Sequence, residues 1–401
     1  MIDRPIDTDR GKTIPPTAET ASSTRPRLFF IDNLRIVLIT LVVLWHVAVT
    51  YGAPGTWPYQ ERQADDITTI LFTLFYAANG PYVLGFFFLI SGYFAPGSFE
   101  RKGTWPFIRD WIRRLGIPLV LYILVFDPLI IYGIKSTIHG FQGSFWEYLG
   151  QHFRGYRTLG VGPMWFIEGL LIILIVYGLV RLLIKPMTDQ PQITSEEPST
   201  LSITIFAFTL GVVSFIVRIW FPVGWLLEPL GLPLALFPQF IAMFLVGIAA
   251  FRRNWFMGIS KAKGKVWLRV AIFFIVVLFP IVFLFGGALE GDTSQFMGGI
   301  YWQSFAFAVW EQYVGVGMII GLLVWFRERY NRQSALAKDM AANSFAVYFI
   351  HAPVLVFLAL ALRGIQLYPL LKFALVAPVV VALCFLIAHY LRRLPIVRSF
   401  I

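Results

Sequence analysis

Apolar residues along this chain come in blocks of about twenty, separated by shorter polar connections. Ten such blocks occupy about 31–52, 69–94, 114–134, 163–184, 200–221, 234–251, 267–287, 300–326, 343–362 and 370–391. Each meets the roughly 17–25 residues that a helix needs to cross hydrocarbon. A backbone in lipid must satisfy its own polar groups, so such blocks predict helices. The expected fold is all-α, a polytopic transmembrane bundle of about ten helices. Residues 1–27 are polar, rich in Thr, Pro and Arg, and lack the short apolar core of a signal peptide. They read as a flexible tail, and 28–401 as a single transmembrane domain. No repeat of fixed period and no pair of matched halves stands out. The one internal hydrophilic linker is "TDQPQITSEEPS", 188–199.

Composition agrees with this pattern. The chain is 58% hydrophobic and only 14% charged, where average usage is about 25% charged, and its mean hydropathy is +0.72. A net charge of +11 would fit a nucleic-acid partner, but the placement of the charges argues against one. Of the 33 Lys and Arg, 26 fall on the two tails and the even-numbered connections, and 7 on the odd-numbered connections. The positive-inside rule then puts both termini in the cytoplasm, with the basic loops against anionic lipid headgroups. Cys384 is the single cysteine, so no internal disulfide can form. The five histidines are scattered, without the spacings of a metal site, and no metal is expected.

Ionisable side chains inside the blocks are few, and each is a candidate for function because charge at membrane depth is costly. They are His46, Asp127, Glu168, Glu311, His351 and His389. His389 lies beside Arg392 and Arg393 and reads as interfacial. Asp127 precedes Pro128 and reads as a partner for backbone groups that the proline frees. His46, Glu168, Glu311 and His351 have depths that allow them to meet in one central or outer cavity. Arg35 and His46 are eleven residues apart, about three helical turns plus 20°, so they share a face with roughly 16 Å between them. A neutral imidazole at that depth suits a general base. A carboxylate, Glu311 or Glu168, would hold its tautomer. An arginine at the cytoplasmic mouth would hold phosphates of a donor that stays outside the bilayer. The longest outer connection, 135–162, mixes aromatics, histidines and glycines. It suits either a sugar surface or an interfacial amphipathic segment anchored by Phe145, Trp146 and Tyr148.

These residues resemble the integral-membrane acyltransferase-3 family. "DNLR" followed by His46 matches that family's arginine-x10-histidine signature. "GFFFLISGYF" (85–94) resembles its FFxxSG motif, and "FIRDWIRRLGIPLVLY" (107–122) its basic patch. "GPMWFIEGLLI" (162–172) is similar to its G-x-x-WF motif, and "NSFAVYFIHAPVL" (343–355) to its late Ser…Tyr-x-x-His segment. The motifs come in order and span about residues 27–391.

The resemblance implies a ten-helix enzyme that moves an acyl group (acetyl, succinyl or similar) from a cytoplasmic acyl-CoA to a hydroxyl of an extracytoplasmic carbohydrate or glucan. Acyl-CoA is then a substrate, with no bound cofactor. His46 would be catalytic, with Glu311 and Glu168 as the candidate carboxylates. Arg35, Arg109, Arg113 and Arg114 would bind the donor. Tyr348, His351 and Trp165 would line the site. His46 would act either as general base or as a covalent acyl carrier. The rival readings are a proton-coupled exporter of a saccharide or lipid-linked saccharide, and a non-catalytic scaffold in which the polar residues only pack helices.

Overall fold

The computed structural model describes residues 27–61, 65–154, 160–183, 196–288 and 293–395. The N-terminal tail to residue 26, and 188–195 of the hydrophilic linker, lie outside them. Ten helices are long and apolar enough to cross a membrane. They are α1 (Phe29–Thr50), α2 (Asp66–Lys102), α3 (Thr104–Ile138), α4 (Gly162–Leu183) and α5 (Thr200–Trp220). Then follow α6 (Leu234–Arg252), α7 (Lys261–Phe285), α8 (Trp302–Arg329), α9 (Ala335–Ala361) and α10 (Pro369–Leu391). No strand occurs among the described residues, only an isolated bridge between Leu227 and Leu232.

Several helices outrun the apolar blocks that foretold them. α9 begins eight residues before the block at 343, because Ser334 accepts a hydrogen bond from the Ala337 amide (3.1 Å) and starts the helix in its polar approach. α2 starts the same way at Asp65, which accepts from the Thr68 amide, and runs on past Phe94 until Gly103, at φ 72°, turns the chain directly into α3. Lipid-facing composition marks only the membrane part of a helix, whereas caps and positive-φ glycines mark its ends.

α8 and α9 form the axis of the bundle. About 72% of the apolar stretch of α8 and 67% of that of α9 is buried, against 11% for α7, which turns most of its surface outward. α8 packs against α7, α5, α2 and α1, while α9 packs against α10, α1 and α3. The tightest approach joins α2 and α6. A Cβ on Gly92 would lie 2.1 Å from the Phe244 carbonyl oxygen, and one on Gly247 would lie 2.2 Å from the Leu89 carbonyl oxygen. Two glycines facing opposite backbones let the helices touch, which is how helices associate where lipid supplies no hydrophobic drive. Gln239 of α6 then donates to the Pro81 carbonyl of α2 (2.8 Å) and to the Gln312 side chain of α8 (2.9 Å).

The long connection after α3 contains a helix, Phe145–Arg154. Of the aromatics expected to anchor it at an interface, Trp146 is exposed, whereas Tyr148 is buried against Tyr132 and Phe141. The Tyr148 hydroxyl bonds His152 Nδ1 (2.7 Å), and His152 Nε2 lies 3.6 Å from Asp127. Asp127 thus faces a histidine of the loop.

Gly92→Val should lower stability by about 1–3 kcal/mol through overpacking. It should show as a lower thermal midpoint in detergent. Gly150→Ala, where an added Cβ meets nothing within 4 Å, should not lower it. Equal midpoints for parent and Gly92→Val would contradict the close α2–α6 contact.

Candidate active site

His46 and His351 meet. Their rings lie 4.9 Å apart, and His351 Nε2 is 3.2 Å from His46 Nδ1. His46 lies one turn before the end of α1, and His351 lies in the second half of α9, so two motifs separated by 305 residues converge. The surrounding bonds assign the protons. His46 Nδ1 also lies 2.9 Å from the Val42 carbonyl oxygen, and His351 Nδ1 bonds the Tyr348 carbonyl oxygen. Carbonyls only accept, so in the neutral rings each Nδ1 carries the hydrogen. His351 Nε2 is then bare and accepts from His46, whose Nδ1–H is shared between it and Val42. His46 Nε2 is left without a proton, the form a general base requires.

The other motifs close around this pair. The Tyr348 hydroxyl donates to the Pro163 carbonyl oxygen at the start of α4. Phe166 packs against Tyr348 (5.8 Å) and against Phe88 of α2 (5.1 Å), and Trp165 stacks on Phe240 of α6 (6.1 Å). The G-x-x-WF segment therefore wedges between the FFxxSG helix and the late histidine helix. His351 is fully buried, while His46 keeps some exposed surface.

The expected carboxylates are placed differently. Glu311 is buried in α8 and forms an ion pair with Arg218 of α5, itself 1% exposed and lying over the Phe307 ring. Gln312 donates to the same carboxylate (3.3 Å), which extends the Gln239 network to four helices. Glu168 is buried, with its Oε2 unpartnered. Among the described residues no hydrogen bond links either carboxylate to a histidine. The tautomer-holding partner of His46 is His351.

The arginines lie at the other end of the first helices. Arg35 is part exposed, 3.8 Å from Asp32 and over the Phe94 ring. Arg109, Arg113 and Arg114 are exposed at the start of α3. A π turn, Ile112–Gly116, carries the last two, and Asp110 bonds Arg114 (3.2 Å) and Lys102 (2.5 Å). α1 and α3 run in the same direction, so all four arginines lie at the same end of the bundle, well below His46. His389, expected to be interfacial, bonds Asp339 of α9 (2.9 Å).

The sequence reading passed over Trp57, whose ring packs on His46 at 4.2 Å and reaches His351 at 6.0 Å. It sits in the α1–α2 connection, where an aromatic reads as an interface anchor. It also passed over Arg218 and Lys372, set aside as basic residues near segment ends. One signal was present. Both belong to the few cations on the connections that otherwise lack them, and each is buried against a carboxylate: Arg218 against Glu311, Lys372 against Glu61.

A helical membrane bundle with a histidine dyad inside and arginines at one end fits an integral-membrane group-transfer enzyme, and the family match assigns the chain to that class. The chain belongs to the acyltransferase-3 family, whose model, described as an acyltransferase domain, matches residues 28–389. Its similar relatives include Glucans biosynthesis protein C of Escherichia coli strain K12, 22% identical over 347 residues, which is 82% of this chain and 83% of the relative. The protein of the same name from E. coli O81 strain ED1a is 22% identical over 348 residues, with the same coverage. No solved structure matches the chain.

Breaking the buried ion pair from one side should be costly. Glu311→Gln and Arg218→Met should each lose about 3–5 kcal/mol, and the double variant Arg218→Met/Glu311→Gln less than the sum. A double-mutant cycle by unfolding in detergent measures this, and additive losses would contradict the pairing. His351→Ala, which removes the acceptor from His46, should slow acyl transfer by about 100-fold or more while leaving donor affinity in place. Turnover assays alongside donor-binding titrations read both.

Proposed function

We propose that the protein transfers an acyl group (acetyl, succinyl or similar) from cytoplasmic acyl-CoA to a hydroxyl of an extracytoplasmic glucan, within the cell's inner or plasma membrane. The observation that carries this reading is the His46–His351 hydrogen bond, which leaves a bare imidazole nitrogen inside a membrane bundle. The printed name of the relatives supports a glucan acceptor. The excess of Lys and Arg on the tails and even-numbered connections supports cytoplasmic termini. Arg35, Arg109, Arg113 and Arg114 then face the compartment that holds the donor, and their guanidinium groups suit its phosphates.

In this reading the donor's nucleotide end stays among the arginines and its thioester reaches roughly 16 Å up the bundle to His46. The acceptor approaches from the opposite side, where the 51–61 loop leaves α1. His46 Nε2 takes the proton from the acceptor hydroxyl as its oxygen attacks the thioester carbon. The imidazolium so formed keeps its Nδ1–H on His351 Nε2 and the Val42 carbonyl oxygen, two acceptors already in place. Tyr348 fixes His351 from behind. Trp165 lines the α4 side. Glu168 is a buried carboxylate left without a partner on Oε2 and the candidate for proton movement, while Glu311 holds α5 to α8.

The test uses purified protein in sealed liposomes with acetyl-CoA or succinyl-CoA labelled in the acyl group, and glucan oligosaccharides as acceptors. The parent should release CoA and label the glucan. His46→Ala should bind donor but lose both by at least about 100-fold. Replacing Arg113 and Arg114 with Gln should weaken donor binding without abolishing turnover at saturation. Saccharide flux without consumption of donor would overturn the proposal in favour of a transporter.

A further inference from the structure

We propose that Trp57 is a catalytic residue of this site, its indole N–H donating to the carbonyl oxygen of the acyl group as that oxygen becomes an oxyanion. The inference rests on the acyl-transfer reading above and adds the electrophilic half of the reaction to it.

Trp57 is 8% exposed, and its Nε1 is buried with no hydrogen-bond partner. An indole nitrogen can only donate, and a buried donor without an acceptor is destabilising. An apolar ring of the same shape would fill that space without the defect. The orphan donor sits on a ring packed over both histidines, at 4.2 Å from His46 and 6.0 Å from His351. Acyl transfer at His46 would supply the acceptor it lacks, a negative oxygen beside the histidine.

The surrounding loop is built to hold that ring still. Between Tyr51 and Glu61, Tyr51, Ala53 and Tyr59 are buried along with Trp57. The Glu61 amide donates back to the Thr50 carbonyl oxygen (2.9 Å), and Gln60 donates to the Gly55 carbonyl oxygen (2.9 Å). Glu61 forms a buried ion pair with Lys372 of α10, whose Nζ also donates to the carbonyl oxygens of Leu362 (2.9 Å) and Ile365 (2.8 Å). The Lys372 ammonium lies over the Tyr51 ring. A loop serving only to join two helices needs no buried lysine. A fixed donor is the arrangement that stabilises developing charge, since no reorganisation is needed as the reaction proceeds.

The step balances. The acceptor oxygen forms a bond to the thioester carbon while its proton passes to His46 Nε2. The carbonyl π electrons move onto oxygen, which accepts the Trp57 N–H. On collapse the C–S bond breaks, and the departing CoA thiolate recovers the proton from His46. The products are the acyl ester and free CoA.

The experiment compares the parent with Trp57→Phe and with a variant carrying 3-benzothienylalanine at position 57, which keeps the bicyclic shape but has no N–H. Acetyl-CoA and succinyl-CoA serve as donors in liposomes, with glucan oligosaccharide as acceptor. Both variants should lose about 10²–10³-fold in kcat, with KM for the donor unchanged within about threefold, and the benzothienyl variant should have a thermal midpoint equal to or above the parent's. A folded variant that keeps kcat within about threefold overturns the role of Trp57 and leaves the acyltransferase reading standing. Should Trp57→Phe fail to fold, the benzothienyl variant decides by the same criterion. A kcat loss accompanied by a matching fall in thermal midpoint for both variants means a structural N–H and also overturns it. A parent that consumes neither donor removes the acyl-transfer reading and this inference together.

Discussion

Inside hydrocarbon a polar group has no water to fall back on, and the rest of this structure follows from that constraint. The buried Arg218 finds Glu311, the buried Lys372 finds Glu61 and two carbonyls, and Gln239 finds Gln312 and the proline-freed stretch of α2. These bonds join α5 to α8, α10 to the α1–α2 loop, and α6 to α2 and α8. Apolar packing alone would leave such helices free to slide in lipid, because tails and side chains are equally apolar. The polar pairs set the register in which the glycine contacts of α2 and α6 can close.

The histidine site leaves bonds of its own open, as Trp267 Nε1 and Ser214 Oγ do elsewhere, but here a donor and an acceptor stand together. His46 spends its one proton on Val42 and His351 and keeps a bare nitrogen. Beside it the Trp57 N–H has no acceptor. A bare acceptor and an idle donor side by side are a poor way to stabilise a fold. They are suited to a reaction in which one takes a proton and the other meets a negative oxygen. The arginines stand apart, toward the opposite end of α1; in the proposed reaction this separates holding the donor from performing the transfer. A thioester on a long flexible arm, the donor proposed above, would make that separation workable, since only its acyl end would have to travel into the bundle.

The ten helices were legible because each leaves a block of apolar residues, and the histidines because each interrupts one. The partner of His46 was not. From sequence, a carboxylate is the natural companion for an imidazole, and Glu311 lies at a suitable depth, but depth carries no information about azimuth. Helix rotation turns Glu311 toward α5, where Arg218 sits 93 residues earlier in the chain, and turns His351 toward α1. Trp57 was hidden for a different reason. Connections between membrane helices are rich in aromatics that anchor at the interface, and nothing local marks the one folded inward over a histidine. The buried cations were half visible, since Arg218 and Lys372 stand where the charge pattern along the chain calls for none.

The central claim is a proton position: His46 carries its hydrogen on Nδ1, directed at His351, with Nε2 bare. Nitrogen-15 NMR of histidine-labelled protein in detergent or nanodiscs tests it directly, since the two ring nitrogens of each tautomer resonate far apart. Five histidines make assignment feasible by single substitution. The account predicts a neutral His46 in the Nδ1–H form, with its Nδ1 resonance shifting in His351→Asn. A His46 protonated on Nε2, or one whose signals ignore the loss of His351, would contradict it.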